Sequence, residues 1–263
     1  MAKEKVKIFV SCHKPFFTAD NEVVTPIQVG TVFKEKFDGM LHDDDGDNIS
    51  EKNKRYCELT AQYYAWKNVD ADYYGFMHYR RYLSFADRKF FCTPYKNPKA
   101  KILDEKSIKK LKLDEQNIID KVSGYDAILP KKMTFIPGNY NWYKRSKGHY
   151  IRDLDFCFDV IKTDYHEIYP FALEHKRKHK AYMCNMFVLK KEYFDRYCKF
   201  LFDILDKHEK EFDCLDYDTY AYRVSGFLSE RLFDVFMRYL IKVEKIKVKT
   251  VQWVAFKEVP VKK

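Results

Sequence analysis

The segment Asp72 to Leu83, DYYGFMHYRRYL, turns abruptly from aromatic and apolar residues to His78, Arg80 and Arg81. Tyr73 to Met77 reads as a strand, so two guanidinium groups and an imidazole stand at its end. The planar fork of arginine matches phosphate oxygens in bidentate fashion, which is the simplest use of such a cluster. The plainer use is one arginine paired with a carboxylate and the other solvated. A second group, Asp47 to Asn53 (DNISEKN), offers short polar side chains. These can hydrogen-bond a base, a ribose or a sugar hydroxyl, or serve only as turn and cap residues. A third, Arg223 to Leu232 (RVSGFLSERL), carries Gly226, which permits close approach, and Glu230, expected near the start of a helix. A carboxylate there can be a general base, or can merely complement the helix dipole.

These clusters need elements to hold them. Residues 5–12, KVKIFVSC, form a β-branched and aromatic run that feeds the polar His13-Lys14-Pro15, as a buried strand leading into a ligand loop would. The acidic, turn-rich segment 39–53 reads as a loop before a helix over Tyr56 to Asn68, with Ser50 or Asn53 as its cap. Residues 88–112 read as a solvated excursion, followed by a weak helical pattern from Asp114 to Val122. A strand is predicted at Tyr125 to Leu129, closed by Pro130. Amphipathic helices over Asp153 to Ile161 and Glu192 to Lys207 flank a strand at Cys184 to Leu189. A last helix is predicted over Ser229 to Lys242, and Lys247 to Phe256 reads as an edge strand or trailing arm. Such alternation implies one α/β domain over residues 1–263, a Rossmann-type, mostly parallel sheet with helices on both faces. Ligands then bind beyond the carboxyl ends of the strands, where the polar clusters fall.

The chain holds 263 residues, 46% of them hydrophobic, enough for one sizeable core. Its Lys and Arg outnumber Asp and Glu by 49 to 39, so a net charge of +10 favours an anionic partner: a nucleotide diphosphate, nucleic acid or an acidic membrane leaflet. Seven cysteines make no CxxC pair and sit mostly among apolar neighbours, as reduced buried thiols do. With no long apolar run and no signal-peptide pattern, a cytoplasmic location is expected.

In combination, IFVSCHK, TPIQVG, DNISEKN, YYGFMHYRRYL, YMCNMFVLKKEYFDRYCKFLF and RVSGFLSERL resemble a family first catalogued as a domain of unknown function, whose members occur in capsular, O-antigen and exopolysaccharide gene clusters. The resemblance spans residue 8 to about residue 232. It implies a GT-A-like fold and a glycosyltransferase that uses a nucleotide sugar, with some relatives being galactofuranosyltransferases that use UDP-galactofuranose. By position, Ser11, His13, Lys14 and Gln28 resemble the uridine-proximal region, with Asp47, Asn48 and Asn53 nearby as donor-binding candidates. Asn185, Trp66 and Arg223 become candidates for the sugar and acceptor sites. GT-A enzymes place a metal-binding Asp-x-Asp where this chain has His78-Tyr79-Arg80. Arg80, with His78 or Arg81, is therefore expected to neutralise the UDP leaving group in the absence of a metal cofactor. The acidic Asp45 and Asp47 leave Mn²⁺ or Mg²⁺ as the open alternative. Glu230 is the expected base of an inverting displacement. The expected acceptor is a lipid-linked saccharide, with which peripheral contact with the inner membrane is compatible, and no nucleic-acid partner is expected. The competing expectation is a non-catalytic, basic RNA- or membrane-surface-binding module, supported by the net charge and by Lys176, Arg177, Lys178 and Lys180.

Overall fold

The computed structural model describes residues 4–87 and 99–261. Strands form at β1 (Val6–Cys12), β2 (Val24–Gln28), β3 (Leu41–His42), β4 (Tyr73–His78), β5 (Arg81–Leu83), β6 (Lys99–Ile102), β7 (Ala127–Pro130), β8 (Met133–Thr134), β9 (Lys180–Ala181), β10 (Phe187–Lys190), β11 (Val248–Val251) and β12 (Trp253–Glu258). The helices are α1 (Asn53–Tyr56), α2 (Leu59–Asn68), α3 (Glu105–Leu111), α4 (Glu115–Val122), α5 (Asn139–Arg145), α6 (Ile151–Asp164), α7 (Tyr169–Arg177), α8 (Lys191–Glu211) and α9 (Val224–Tyr239).

The main sheet runs β11-β7-β10-β4-β1-β2-β3, and a hairpin from β4 leads through β5 to β12 and β6. Pairing is parallel at β1–β2, β1–β4, β2–β3 and β7–β11, whereas β10 is antiparallel to both neighbours. Period-2 alternation divides the core into two layers. Phe9, Tyr74, Phe76, Phe187 and Leu189 face a layer built with α2, α6, α8 and α9. Ile8, Val10, Met77, Met186 and Val188 face the other, closed by α3, α4 and β12. Burying each such side chain contributes about 1.5–3 kcal/mol, so the sheet is held from both sides. The mostly parallel, helix-flanked sheet expected from the sequence is present.

Several local expectations are corrected. The helix expected from Tyr56 onward is broken at Cys57, whose φ of 54° lies in the left-handed region, so α1 and α2 meet at a corner. Neither Ser50 nor Asn53 caps it: Ser50 Oγ donates to Asp43 (2.6 Å), and Asn53 Nδ2 donates to the Cys57 carbonyl (2.8 Å). Residues 99–111 of the expected excursion are integral to the fold, since β6 pairs with β12 while Leu103 and Leu111 are fully buried; residues 88–98 lie outside the described residues. The last helix starts at Val224, so Glu230 sits in its second turn, beyond the first-turn reach of the dipole. Helices α5 and α7, short and rich in aromatic and charged residues, were not predicted. Among the described residues, no helix is long and apolar enough to cross a membrane.

Candidate functional site

A cleft of about 1250 Å³ opens beyond the carboxyl ends of β1 and β4. Ser11, His13, His78, Tyr79, Arg80 and Arg81 form its sheet edge, because the chain leaves β1 and β4 directly into it. The α1–α2 corner contributes Asn53, Lys54, Cys57 and Glu58. Trp142, Lys147 and His149 come from α5 and the loop after it, while Tyr220, Arg223, Phe227, Glu230 and Arg231 come from α9 and its approach.

The lining carries six cations, Lys54, Arg80, Arg81, Lys147, Arg223 and Arg231, against two carboxylates, Glu58 and Glu230. Such an imbalance in a partly desolvated cleft draws an anion and strengthens its hold. Arg80 and Arg81 have no carboxylate partner among the described residues, unlike Arg231, which pairs with Glu230. Tyr79 is stacked on Phe16 (centroids 4.2 Å apart) and meets His13 edge-on, which fixes the base of the arginine turn. Burial, together with the charges of Lys34, Lys14 and Arg80, holds the His13 imidazole below its ordinary pKa, so it enters the cationic edge as a neutral ring.

A chain of hydrogen bonds runs behind the two carboxylates. Glu230 Oε1 accepts the Cys184 N–H (2.9 Å) and Oε2 accepts from Arg231 (2.6 Å). His78 Nε2 donates to the Cys184 carbonyl (2.6 Å), so one residue ties the base candidate to the end of β4. Cys184 and Asn185 both adopt positive φ, 71° and 46°, and this turn aims the N–H and carbonyl of Cys184 at opposite partners. Burial raises the Glu230 pKa above its ordinary value, opposed by Arg231 and reinforced by the charge of Glu58.

The opposite wall is aromatic. His149 stacks on Phe227 (4.1 Å between centroids), and burial pulls its pKa down to about 4, leaving a neutral ring. Trp142 and Tyr220 are 45% and 44% exposed while lining the cleft, so part of each ring is open to whatever enters. Tyr217 anchors this wall from below: its hydroxyl donates to buried Asp153 (2.8 Å), which also accepts from His208 Nε2 (3.1 Å), and Arg55 donates to His208 Nδ1 (3.0 Å).

Of the residues singled out from the sequence, Ser11, His13, Asn53, His78, Arg80, Arg81, Arg223, Gly226 and Glu230 line the cleft, whereas Lys14, Gln28, Asp47, Asn48, Trp66 and Asn185 do not. Gln28 is fully buried, bonding the Glu35 carbonyl and the Phe37 N–H (both 2.8 Å), and so shapes the loop after β2. Asp47 is tied to Asn68 and Tyr63, and Asn48 to the carbonyls of Asp44 and Gly46; both are turn residues. Lys14 is an exposed neighbour of His13 whose charge is felt but whose side chain is not in the lining. Trp66 stacks on Phe202 with Lys67 above its ring, as a core-edge residue. Asn185 lies beneath the cleft, donating to Glu58 (2.8 Å) and Ser229 (2.9 Å). Sequence reasoning missed Glu58, Trp142, Lys147 and Arg231. The QYYAW pattern after Glu58 signals a helix but not the corner that exposes it.

The acids that could hold a divalent cation are committed elsewhere. Asp43 accepts from Gly30 N, Thr31 N, Ser50 Oγ and Thr60 Oγ1, all within 3.0 Å. Asp44 and Asp45 pair with Lys36, Asp70 with Lys191, and Asp216 with Arg152. Asp72 accepts from Lys5 N, and Asp218 from the Tyr220 and Ala221 N–H groups. None of these lines the cleft, so the residues present do not furnish the Asp-x-Asp site of a GT-A enzyme there.

The apo structure of WbbM, a bifunctional glycosyltransferase, matches this fold with a TM-score of 0.92 at 35% sequence identity, over 97% of this chain and 46% of that one. The chain thus spans about half the length of that protein. No curated protein matches it. The profile of a domain of unknown function, DUF4422, matches residues 7–242, nearly the whole chain, and the protein belongs to that family.

Proposed function

We propose that this chain transfers a glycosyl group from a nucleoside-diphosphate sugar, most simply a UDP-sugar, to a saccharide hydroxyl. The observation that carries this reading is the pairing of an arginine edge, Arg80 and Arg81, with no carboxylate partner among the described residues, and a partly buried carboxylate, Glu230, in one cleft at the strand ends. The match to a bifunctional glycosyltransferase supports it.

Arg80 and Arg81 grip the diphosphate and take up the negative charge that grows on it as the glycosidic bond breaks. His78, fixed by its bond to Cys184, closes the same edge. Glu230 removes the proton from the attacking hydroxyl. Its raised pKa makes it a stronger base than an exposed carboxylate, and Arg231 and the Cys184 N–H orient it. Attack opposite the leaving diphosphate inverts the anomeric centre. The acceptor saccharide lies against Trp142 and Tyr220, whose ring faces suit sugar C–H surfaces, with Arg223 beside them. Galactofuranose as the transferred sugar, and a lipid-linked acceptor reached through peripheral membrane contact aided by the +10 charge, complete the reading.

The test offers the purified protein a panel of UDP-sugars with an oligosaccharide acceptor, with and without EDTA. Transfer is expected with one donor in both conditions. Arg80→Ala should raise the donor KM about 10- to 100-fold, the loss of a charge-assisted contact. Glu230→Gln should lower kcat about 10²- to 10⁴-fold. Unchanged turnover in Glu230→Gln would remove the base assignment, and abolition by EDTA would remove the arginine-only account of the leaving group.

A further inference from the structure

We propose that Glu58 is a donor-specificity residue whose free carboxylate oxygen accepts a hydrogen bond from a hydroxyl of the transferred sugar. The inference rests on the glycosyl-transfer reading above. Glu58 occupies the corner between α1 and α2 and lines the cleft. The corner is built for it: Cys57 holds a positive φ of 54°, and Gly226 of α9 packs so closely that an added Cβ would lie 3.2 Å from Cys57 Sγ. A non-glycine residue in that conformation persists only where its surroundings impose it, and such residues gather at working sites.

The carboxylate is half committed. Oε1 accepts from Asn185 Nδ2 (2.8 Å) and stands 4.0 Å from His78 Nε2, while Oε2 has no partner among the described residues. Glu230 differs, since both of its oxygens are already bonded. If Glu58 served only to anchor Asn185, a neutral amide would do so without placing a second negative charge, only 18% exposed, in a diphosphate cleft. Such a charge repels the diphosphate and therefore needs a neutral donor group as its partner. Sugar hydroxyls are such donors. Position favours the sugar: Glu58 adjoins His78, which pairs with Arg81 across the β4–β5 turn, so the carboxylate and the arginine edge border the same part of the cleft.

The experiment measures binding of UDP and of the UDP-sugar found productive in the panel, without acceptor, to the wild type, Glu58→Gln and Glu58→Ala. Circular dichroism melts check that each variant is folded. UDP affinity is expected to stay within about twofold, or to tighten as the negative charge is removed. Affinity for the UDP-sugar is expected to fall about 10- to 100-fold in Glu58→Ala, the range for a hydrogen bond to a charged group, and less in Glu58→Gln, which keeps an acceptor oxygen. Equal weakening of both ligands, or of neither, overturns the proposal, as does intact UDP-sugar binding with collapsed kcat, which would make Glu58 the base. Should the wild type bind neither UDP nor any UDP-sugar, the glycosyl-transfer reading itself fails and this proposal falls with it. Failure confined to the difference between UDP and UDP-sugar sinks the role of Glu58 alone.

Discussion

Helix α9 carries two carboxylates one turn apart, and their surroundings push them in opposite directions. Glu230 is pushed up by burial more than Arg231 brings it down. Burial also acts upward on Asp234, but the hydrogen bond from His175 (2.8 Å), whose own burial keeps its ring neutral, and the charges of Arg238 and Lys132 prevail and hold it at about 2. Opposed environments of this kind separate a proton-handling group from a structural one. Because Glu230 is an effective base only when ionised, activity should fall on the acid side with a midpoint above the ordinary 4.5, and Glu230→Gln should lack that limb in a kcat/KM profile. Asp234 contributes stability that is present above its ordinary value of 3.8 and is lost as pH falls towards its folded value of about 2. Asp234→Asn, which removes the buried counter-charge of Lys132 and leaves Arg238 only Glu174, should cost about 3 kcal/mol at neutral pH. Urea midpoints followed from neutral pH downward should show the gap from wild type narrowing below about pH 4; a gap independent of pH would refute the assignment.

At the scale of elements, the cleft rests on close packing at the β10-β4-β1 centre. Gly75 sits opposite Ile8 on one side and Val188 on the other. A Cβ added there would lie 2.8 Å from Ile8 Cγ1 and 2.9 Å from Val188 Cγ2, inside van der Waals contact. Alanine normally improves a strand, but here the crowding decides the sign. Gly75→Ala should therefore destabilise by about 1–3 kcal/mol, read as a lowered denaturant midpoint at unchanged m; equal or higher stability would show that the strands move apart freely. The same elements explain why the α1–α2 corner matters. Asn185, at positive φ just before β10, reaches both Glu58 and Ser229, so the corner, β10 and α9 are fastened at one point behind the cleft.

For the molecule as a whole, 49 cationic side chains exceed 39 acidic ones by ten, and four of that excess border the cleft, six cations against two carboxylates. Many charges elsewhere are balanced locally, as in Lys207 with Asp164 and Asp203, or Lys242 with Glu174. Screening acts most strongly on solvent-facing charges, and Arg80 is exposed. UDP affinity should accordingly fall about tenfold between 0.05 and 0.5 M NaCl, where the Debye length shrinks from roughly 14 to 4 Å, as measured by calorimetry. Salt-independent binding would place the nucleotide away from the arginine edge.

What the chain settles locally could be read from its residues. A strand that ends in HYRRY must deliver its arginines to the strand's carboxyl end, because the next residues have nowhere else to go; the same adjacency places Ser11 and His13. Alternation of apolar runs with amphipathic segments fixed the helix-flanked sheet for the same reason. Tertiary structure alone decided which polar residues were already engaged away from the cleft: Gln28 and Asn48 meet partners inside their own loops, and Asp47 is tied to Asn68 and Tyr63 of α2. It also decided between two tryptophans of identical chemistry, since Trp66 lies flat on Phe202 from α8 whereas Trp142, tilted against Phe135, lines the cleft and is 45% exposed. Glu58 and Glu230 are 172 positions apart, and only the break at Cys57 and the fit of Gly226 against it bring both into one cleft. Contacts between distant segments depend on which helix face is packed and where a helix bends, and neither is encoded in the neighbours of a single residue.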